Sequence, residues 1–294
     1  MRGHRRRRAT PQAGRNPLSP FGLRAACGRP DSFHGLLTVS TPPKEPVFTA
    51  SGLRQQFGDK VILDGLDFEI AHGESFVILG RSGSGKSVTL RLLNGLDKPT
   101  AGRVTFDGTE ISALEERDLF PIRRRMAMLF QSGALFDSMT VLENVAFPMR
   151  EHISISEVEI AQRVADRLAL VGLSGIEAKM PSALSGGMKK RVALARSLAL
   201  DPEVVLFDEP TTGLDPVTAA SIGNLMRASQ ERLQATFVVV THDIALARRV
   251  GDRVAFLDGG RFRFQGTWEE ADAADDPLLT AFLHGLDEEE ANVA

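Results

Sequence analysis

"GRSGSGKS" (Gly80–Ser87) follows the apolar run "SFVILG" and leads straight into "KSVTLRLLNGL". It fits G-x-x-x-x-G-K-[ST] in the context that pattern requires, a buried strand entering and a helix leaving. The fixed positions would coincide by chance in roughly one chain in a hundred of this length, so the motif together with its flanks decides the reading. Gly80, Gly83 and Gly85 let backbone N–H groups turn inward around phosphate oxygens, with Arg81, Ser82 and Ser84 between them and Val88 just beyond. The helix start adds positive potential, Lys86 reaches the β and γ phosphates, and Ser87 can ligate Mg2+. The stretch reads as a nucleotide site.

Outward from the loop, strands and helices alternate from Val47. "PVFTASGLRQQF", "LDFEI" and "RVTFDG" read as strands with Gly or Asp turns, and the helix after the loop ends near Gly95. "RMAMLFQ" is a further apolar strand, closing at Gln131. Ser156 and Glu159 make a capping box for a helix over 156–171, whose apolar stripe is Ile160, Val164, Leu168 and Val171. After "LSGGMKKRVALARSLAL" come "VVLFDEP", a helix from about Pro216, "TFVVVTHD" and the hairpin-like "RVAFLDGGRFRFQG". Continuous apolar strands alternating with helices predict an α/β fold with a largely parallel sheet covered on both faces.

The bulk properties narrow the class. The 294 residues suffice for one large domain, or a domain with a subdomain, and 43% hydrophobic with 25% charged is ordinary globular composition. No apolar run reaches the length that spans a bilayer. The single cysteine, Cys27, excludes an intrachain disulfide and is compatible with a reducing compartment. Net charge is −3, yet residues 1–39 hold eight Arg against one Asp, which leaves the remainder near −10. That acidic bulk gives no nucleic-acid footprint. Residues 1–46 lack periodicity and are read as a disordered or non-native extension. A transit peptide and a basic arm for anionic lipid are two readings of it. The favoured reading is a start placed too early, with translation beginning near Val39.

Two further motifs carry chemistry. In "VVLFDEP" (Val204–Pro210) a buried strand delivers Asp208 to its edge, where it can hold Mg2+ through water, and sets Glu209 to polarise an attacking water. In "LSGGMKKR" (Leu184–Arg191), Ser185, Gly186 and Gly187 open a helix and form a second anion-binding terminus. One ATP does not need two glycine-rich helix ends from one chain.

With these motifs in order, the chain resembles the ATP-binding cassette (ABC) ATPases over about Phe48 to Gly266. In that family two subunits pair head to tail, and each ATP lies between the phosphate loop of one and the signature motif of the other. The resemblance puts Gln131 at the Q-loop glutamine, a catalytic and Mg2+-contacting position. It puts Asp215 of "GLDP" at the D-loop, in contact with the nucleotide site, and His242 of "THD" at the catalytic switch histidine. Phe57 takes the adenine-stacking place usually held by tyrosine, which the chain lacks altogether. The implied fold is a P-loop NTPase cassette at 47–266: a RecA-like mixed sheet core, an antiparallel β subdomain and a helical subdomain at about 132–183. Residues 267–294 would be an extension with a solvated acidic tail.

"LFQSGALFDSMTVLENVAFPMREH" (Leu129–His152), Met188 in the signature and "DPLLTAFLHG" near the end resemble the Mla/Mce-associated phospholipid-transport branch. That resemblance implies ATP and Mg2+ as cofactors and a homodimer of cassettes under an integral-membrane Mla-type permease. It also implies an Mce-domain lipid-binding protein and, in many systems, a STAS-domain regulator. The chain would be peripheral on the cytosolic face of the inner membrane. Alternatives are an importer cassette for another small solute and a soluble assembly ATPase. The same stretch looks like exposed hydrophobic chain broken at Gly133 and Pro148, with Leu135, Phe136 and Met139 expected to line or support the groove for the permease's coupling helix.

Overall fold

The computed structural model describes residues 45–286. The readings made for residues 1–44 and for the tail 287–294 lie outside the described residues. Regular structure starts at Pro46, one residue ahead of the expected boundary.

β1 (Pro46–Phe57) and β2 (Lys60–Ala71) form a long antiparallel pair joined by a turn at Gly58, which takes a φ of 56°. β3 (Ser75–Leu79) is buried at every residue and runs into the glycine loop. α1 (Lys86–Leu93) leaves that loop, with Gly85 as its N-cap at φ 108°, a conformation that strongly favours glycine. β4 (Ala101–Phe106) and β5 (Thr109–Glu110) complete an antiparallel sheet of order β2-β1-β4-β5.

α2 (Glu116–Arg123) leads to β6 (Met126–Leu129), which stops two residues before Gln131 and leaves that residue in the loop beyond. α3 (Val141–His152) and α4 (Glu157–Leu170) follow, then a 3-10 turn at Pro181–Ala183 and α5 (Gly186–Ser197). β7 (Val204–Asp208), α6 (Pro216–Leu233), β8 (Thr236–Thr241) and α7 (Ile244–Val250) alternate as expected. β9 (Arg253–Asp258) and β10 (Arg261–Gly266) form the hairpin, and α8 (Trp268–Asp272) and α9 (Pro277–His284) close the described chain.

The second sheet has the order β10-β9-β3-β8-β7-β6, parallel throughout except for β10. Its central strands are buried on both faces, and alternate side chains serve different layers. Val77, Leu79, Val205, Phe207, Phe237 and Val239 pack with α3, α4 and α5 residues, whereas Phe76, Ile78, Val204, Leu206, Val238 and Val240 pack with β1, β2 and α1. Each fully buried side chain of this size contributes about 1.5–3 kcal/mol, so the sheet is the rigid frame on which the loops are held.

Two local expectations are corrected. Pro148 does not break the stretch before it: it lies inside α3, where Val141, Val145, Ala146 and Met149 are core residues. Thr140 and Glu143 form a reciprocal cap at its start. At α4, Ser156 accepts from the Glu159 N–H, but the Glu159 carboxylate accepts from Arg163 at 2.9 Å instead of returning to the cap. The expected stripe is as read, with Ile160, Val164, Leu168 and Val171 all buried. Among the described residues no helix is long and apolar enough to cross a membrane.

Candidate functional site

β3, β7 and β8 end side by side, and the loops leaving them converge on one open cavity of about 570 Å³. Phe57, Arg81, Ser82, Gly83, Gly85, Lys86, Ser87, Val88, Gln131, Glu209 and His242, all expected site residues, line it. Gly80 lies beneath: a Cβ there would meet the Leu257 carbonyl oxygen at 2.4 Å, so only glycine lets the loop close onto β9. Ser84 completes the turn, its N–H donating to the Arg81 carbonyl at 3.2 Å. At Gly85 a Cβ would meet Leu63 at 2.6 Å, which fixes this corner to β2.

Lys86 is almost fully buried. Its Nζ donates to the Gly80 and Arg81 carbonyls at 2.8 and 3.0 Å and lies 3.5 Å from Glu209 Oε1. The other Glu209 oxygen, Oε2, lies 2.9 Å from His242 Nδ1 and accepts from Thr241 Oγ1 at 3.2 Å and from the His242 N–H at 3.4 Å. Glu209 reaches this position with a φ of 47°, a left-handed conformation that costs a non-glycine residue about 1–3 kcal/mol. Its N–H donates to the Val240 carbonyl at 3.0 Å, so the β8 ladder holds the strained residue.

Asp208 sits one residue earlier and accepts from Ser87 Oγ at 2.8 Å. Burial pushes its carboxyl above the usual carboxylate range; the Ser87 hydrogen bond opposes this, Glu209 reinforces it, and Lys86 and Lys190 oppose it. The Ser87 hydroxyl and the Asp208 carboxylate are hard oxygen donors in contact, a pairing that suits Mg2+ when phosphate and water supply the remaining ligands. Among the described residues no group of three or more His, Cys, Asp or Glu gathers into a metal centre of its own. A cation here would therefore depend on a bound phosphate.

Ser185, Gly186, Gly187 and Asp215 are not in this cavity. They line a separate pocket of about 420 Å³ with Met188, Arg191 and Thr218. Ser185 caps α5 by accepting from the Met188 N–H at 3.3 Å. Asp215 caps α6 by accepting from the Val217 and Thr218 N–H groups at 3.1 and 3.0 Å, and its hydrogen bonds at Thr218 hold its carboxyl below the usual range. Between the two pockets a hollow of about 430 Å³ shares His242 with the first and Gly213 and Leu214 with the second. The expected site residues thus fall into two separate pockets on one chain.

Three contributors escaped sequence reasoning. Ile62 from β2 and Phe282 from α9 line the nucleotide cavity, Phe282 packing on Phe256 with ring centroids 5.0 Å apart. Lys190 on α5 is buried, and its Nζ donates to the Gln131 carbonyl. Burial lowers the Lys190 pKa, which Asp208 partly restores. Nothing in the local pattern flags these residues: Phe282 and Lys190 reach the site across more than fifty positions, and Ile62 is one apolar strand residue among several.

A family model described as ABC transporter matches residues 63–212. The chain is 43% identical over 235 residues to the "Probable ribonucleotide transport ATP-binding protein mkl" of Mycobacterium tuberculosis, covering 80% of this chain and 66% of that protein. The chain therefore spans just under two thirds of the length of these mycobacterial relatives. It is 42% identical over 228 residues to the "Intermembrane phospholipid transport system ATP-binding protein MlaF" of Haemophilus influenzae, covering 78% of this chain and 86% of that protein. Identity to the "Methionine import ATP-binding protein MetN" of Brucella abortus is 38% over 253 residues, covering 85% of this chain and 68% of that protein. The ATP-binding cassette MJ0796, solved as a dimer bound to ADP and Pi, superposes with a TM-score of 0.69 at 34% identity, over 75% of this chain and 98% of that one. CbiO1 from Clostridium perfringens superposes with a TM-score of 0.73 at 30% identity, over 85% of this chain and 99% of that one. The family model, these identities and these superpositions agree: the chain belongs to the ATP-binding proteins of the ABC transporter family.

Proposed function

We propose that this chain hydrolyses ATP to drive a phospholipid transporter, working as a pair of copies beneath an integral-membrane permease. The observation that carries this reading is the identity of 42% to the Haemophilus phospholipid-transport protein over 86% of its length. The two half-sites support the paired arrangement, since neither pocket alone contains both the phosphate loop and the signature.

In this reading Phe57 stacks on adenine, and the backbone of Gly80 to Val88 cradles the phosphates with Lys86. Ser185, Gly186, Gly187 and Asp215 close the same nucleotide from the other copy. Mg2+, when bound, neutralises phosphate charge and would be held by Ser87, by Asp208 through water and by Gln131. Glu209 takes the proton of the attacking water; His242, on Oε2, orients that carboxylate, and Lys86 faces its other oxygen. Excluding bulk water between the copies strengthens each of these electrostatic contacts.

The permease surface is assigned to the segment after Gln131. Phe136 is exposed and packs on Phe147 at 5.0 Å, with the Arg196 guanidinium over its ring at 5.7 Å; Leu135 and Met139 are half-buried supports. Exposed Phe120 and Phe130, and a pocket of about 200 Å³ containing Met128, Pro148 and His152, extend it. An Mce-domain lipid-binding protein, a STAS-domain regulator and a place on the cytosolic face of the inner membrane complete the proposal by analogy with the phospholipid branch. A second reading, transport of another small solute, draws support from the names of the mycobacterial and Brucella relatives.

Reconstitution with the permease that co-purifies from native membranes separates them. ATP-dependent transfer of labelled phospholipid between vesicles is expected. Transfer of methionine or a ribonucleotide without lipid would overturn the lipid assignment, and co-purification with ribosomes or a soluble scaffold would overturn the transporter assignment.

A further inference from the structure

The loop after β6 lies along one face of α5, and the contact is made by two cations. Lys190 Nζ donates to the Gln131 carbonyl, and Arg196 donates to the Gly133 and Ala134 carbonyls at 2.9 and 2.8 Å. Between them the loop touches the helix so closely that a Cβ on Gly133 would meet the Ala193 Cβ at 3.3 Å. Residues 190, 193 and 196 are spaced three apart, which puts them on one stripe of a helix. Gly133 and Ala134 have φ values of 77° and 46°, so two successive residues are left-handed where Arg196 holds them. Lys190 is 8% exposed, and Asp208 supports its charge only at longer range, beyond direct ion-pair contact. For a buried ammonium so placed, the carbonyl bond is the hydrogen bond that holds it.

α5 therefore has two engagements. Its N-terminus forms the signature pocket, and its flank, about 7 Å further along, holds the residue that lines the nucleotide cavity of the same chain. We infer that Lys190 is a positioning residue that couples the two nucleotide sites of the paired ATPase, by tying the signature end of α5 to the backbone of Gln131. This rests on the proposed pairing, in which the signature of one copy closes the nucleotide of the other. A displacement of α5 by the partner's nucleotide is passed through Lys190 to the glutamine at the chain's own nucleotide. Two sites linked by a mechanical element of this kind show a coupling free energy and hence cooperativity.

The test uses the full-length chain with Lys190→Met, which keeps the stem and removes the donor, and Lys190→Gln, which restores an uncharged donor. For Lys190→Met, kcat is expected to fall about ten-fold and the Hill coefficient for ATP to fall from above one to one. Nucleotide affinity of the isolated chain and its thermal midpoint are expected to hold, and Lys190→Gln to recover part of the cooperativity. Wild-type cooperativity persisting in a folded Lys190→Met chain would overturn the coupling role, as would a wild-type Hill coefficient of one. Pairing is read separately: a Glu209→Gln chain that stays monomeric with ATP would overturn the paired reading and the coupling with it. A paired Glu209→Gln chain beside an unaltered Lys190→Met chain would overturn the coupling alone.

Discussion

His242 Nδ1 lies 2.9 Å from Glu209 Oε2, while Lys86 Nζ lies 3.5 Å from Oε1 of the same carboxylate. The carboxylate is held from both sides on a backbone whose φ of 47° keeps it out of the strand. A side chain this constrained is ready to work without reorganising.

Glu209→Gln removes the proposed base and keeps the shape. ATP affinity is expected to stay within a few-fold of wild type, while steady-state phosphate release falls by about 10²–10⁴-fold. Equilibrium nucleotide binding alongside a phosphate-release assay checks both. Normal turnover would remove Glu209 from its assigned role.

Asp208 offers a pH test. Its folded carboxyl titrates above the ordinary value of 3.8 because it is buried. The folded state therefore binds more protons than the unfolded chain in the window above that value, and stability falls as pH rises through it. At neutral pH the ionised group is a cost to the nucleotide-free fold. Asp208→Asn should raise the thermal midpoint by about 2–4 °C at pH 7, less at pH 4, while abolishing hydrolysis. Differential scanning calorimetry at the two pH values measures it; an equal or lower midpoint would contradict the burial argument.

Asn144 is fully buried beneath the proposed docking segment. Its side-chain amide donates to the Phe136, Met139 and Thr140 carbonyls, and its oxygen accepts from the Phe136 N–H at 2.8 Å. Asn144→Ala leaves the Phe136 N–H and the Met139 carbonyl without these partners, while the Phe136 and Thr140 carbonyls keep backbone donors, and should cost about 2–4 kcal/mol in denaturant unfolding. A loss under 1 kcal/mol, roughly that of an ordinary surface change, would show that the segment is held by something else.

Phe136→Asp should leave the ATPase activity of the isolated chain within about two-fold and abolish recovery of the permease in a pull-down. Recovery at the wild-type level would move the docking surface elsewhere.

Legibility followed locality. "GRSGSGKS", "VVLFDEP" and "LSGGMKKR" are contiguous, so a strand end and the turn after it announce their chemistry within a few residues. Strand identity in the large sheet was readable for the same reason, because burial on both faces leaves unbroken apolar runs. Pro148 misled because Val145 and Met149 on either side of it reach the core and keep the helix packed there. Glu159 misled because an Arg163 one turn later competes for its carboxylate. Ile62, Phe282 and Lys190 were invisible, since their value to the site depends on elements 18 to 195 residues distant from the glycine loop or Gln131 folding onto it.

In the proposed pairing, the separation of the phosphate-loop cavity from the signature pocket makes defects exchangeable between copies. A chain carrying Lys86→Ala and a chain carrying Ser185→Arg are each expected to be inactive as a pure dimer. In a mixed dimer the two lesions fall together on one nucleotide, and the other meets an intact loop and an intact signature. Co-expression of two dead alleles would then restore hydrolysis, a case of intragenic complementation that a self-contained active site could never show.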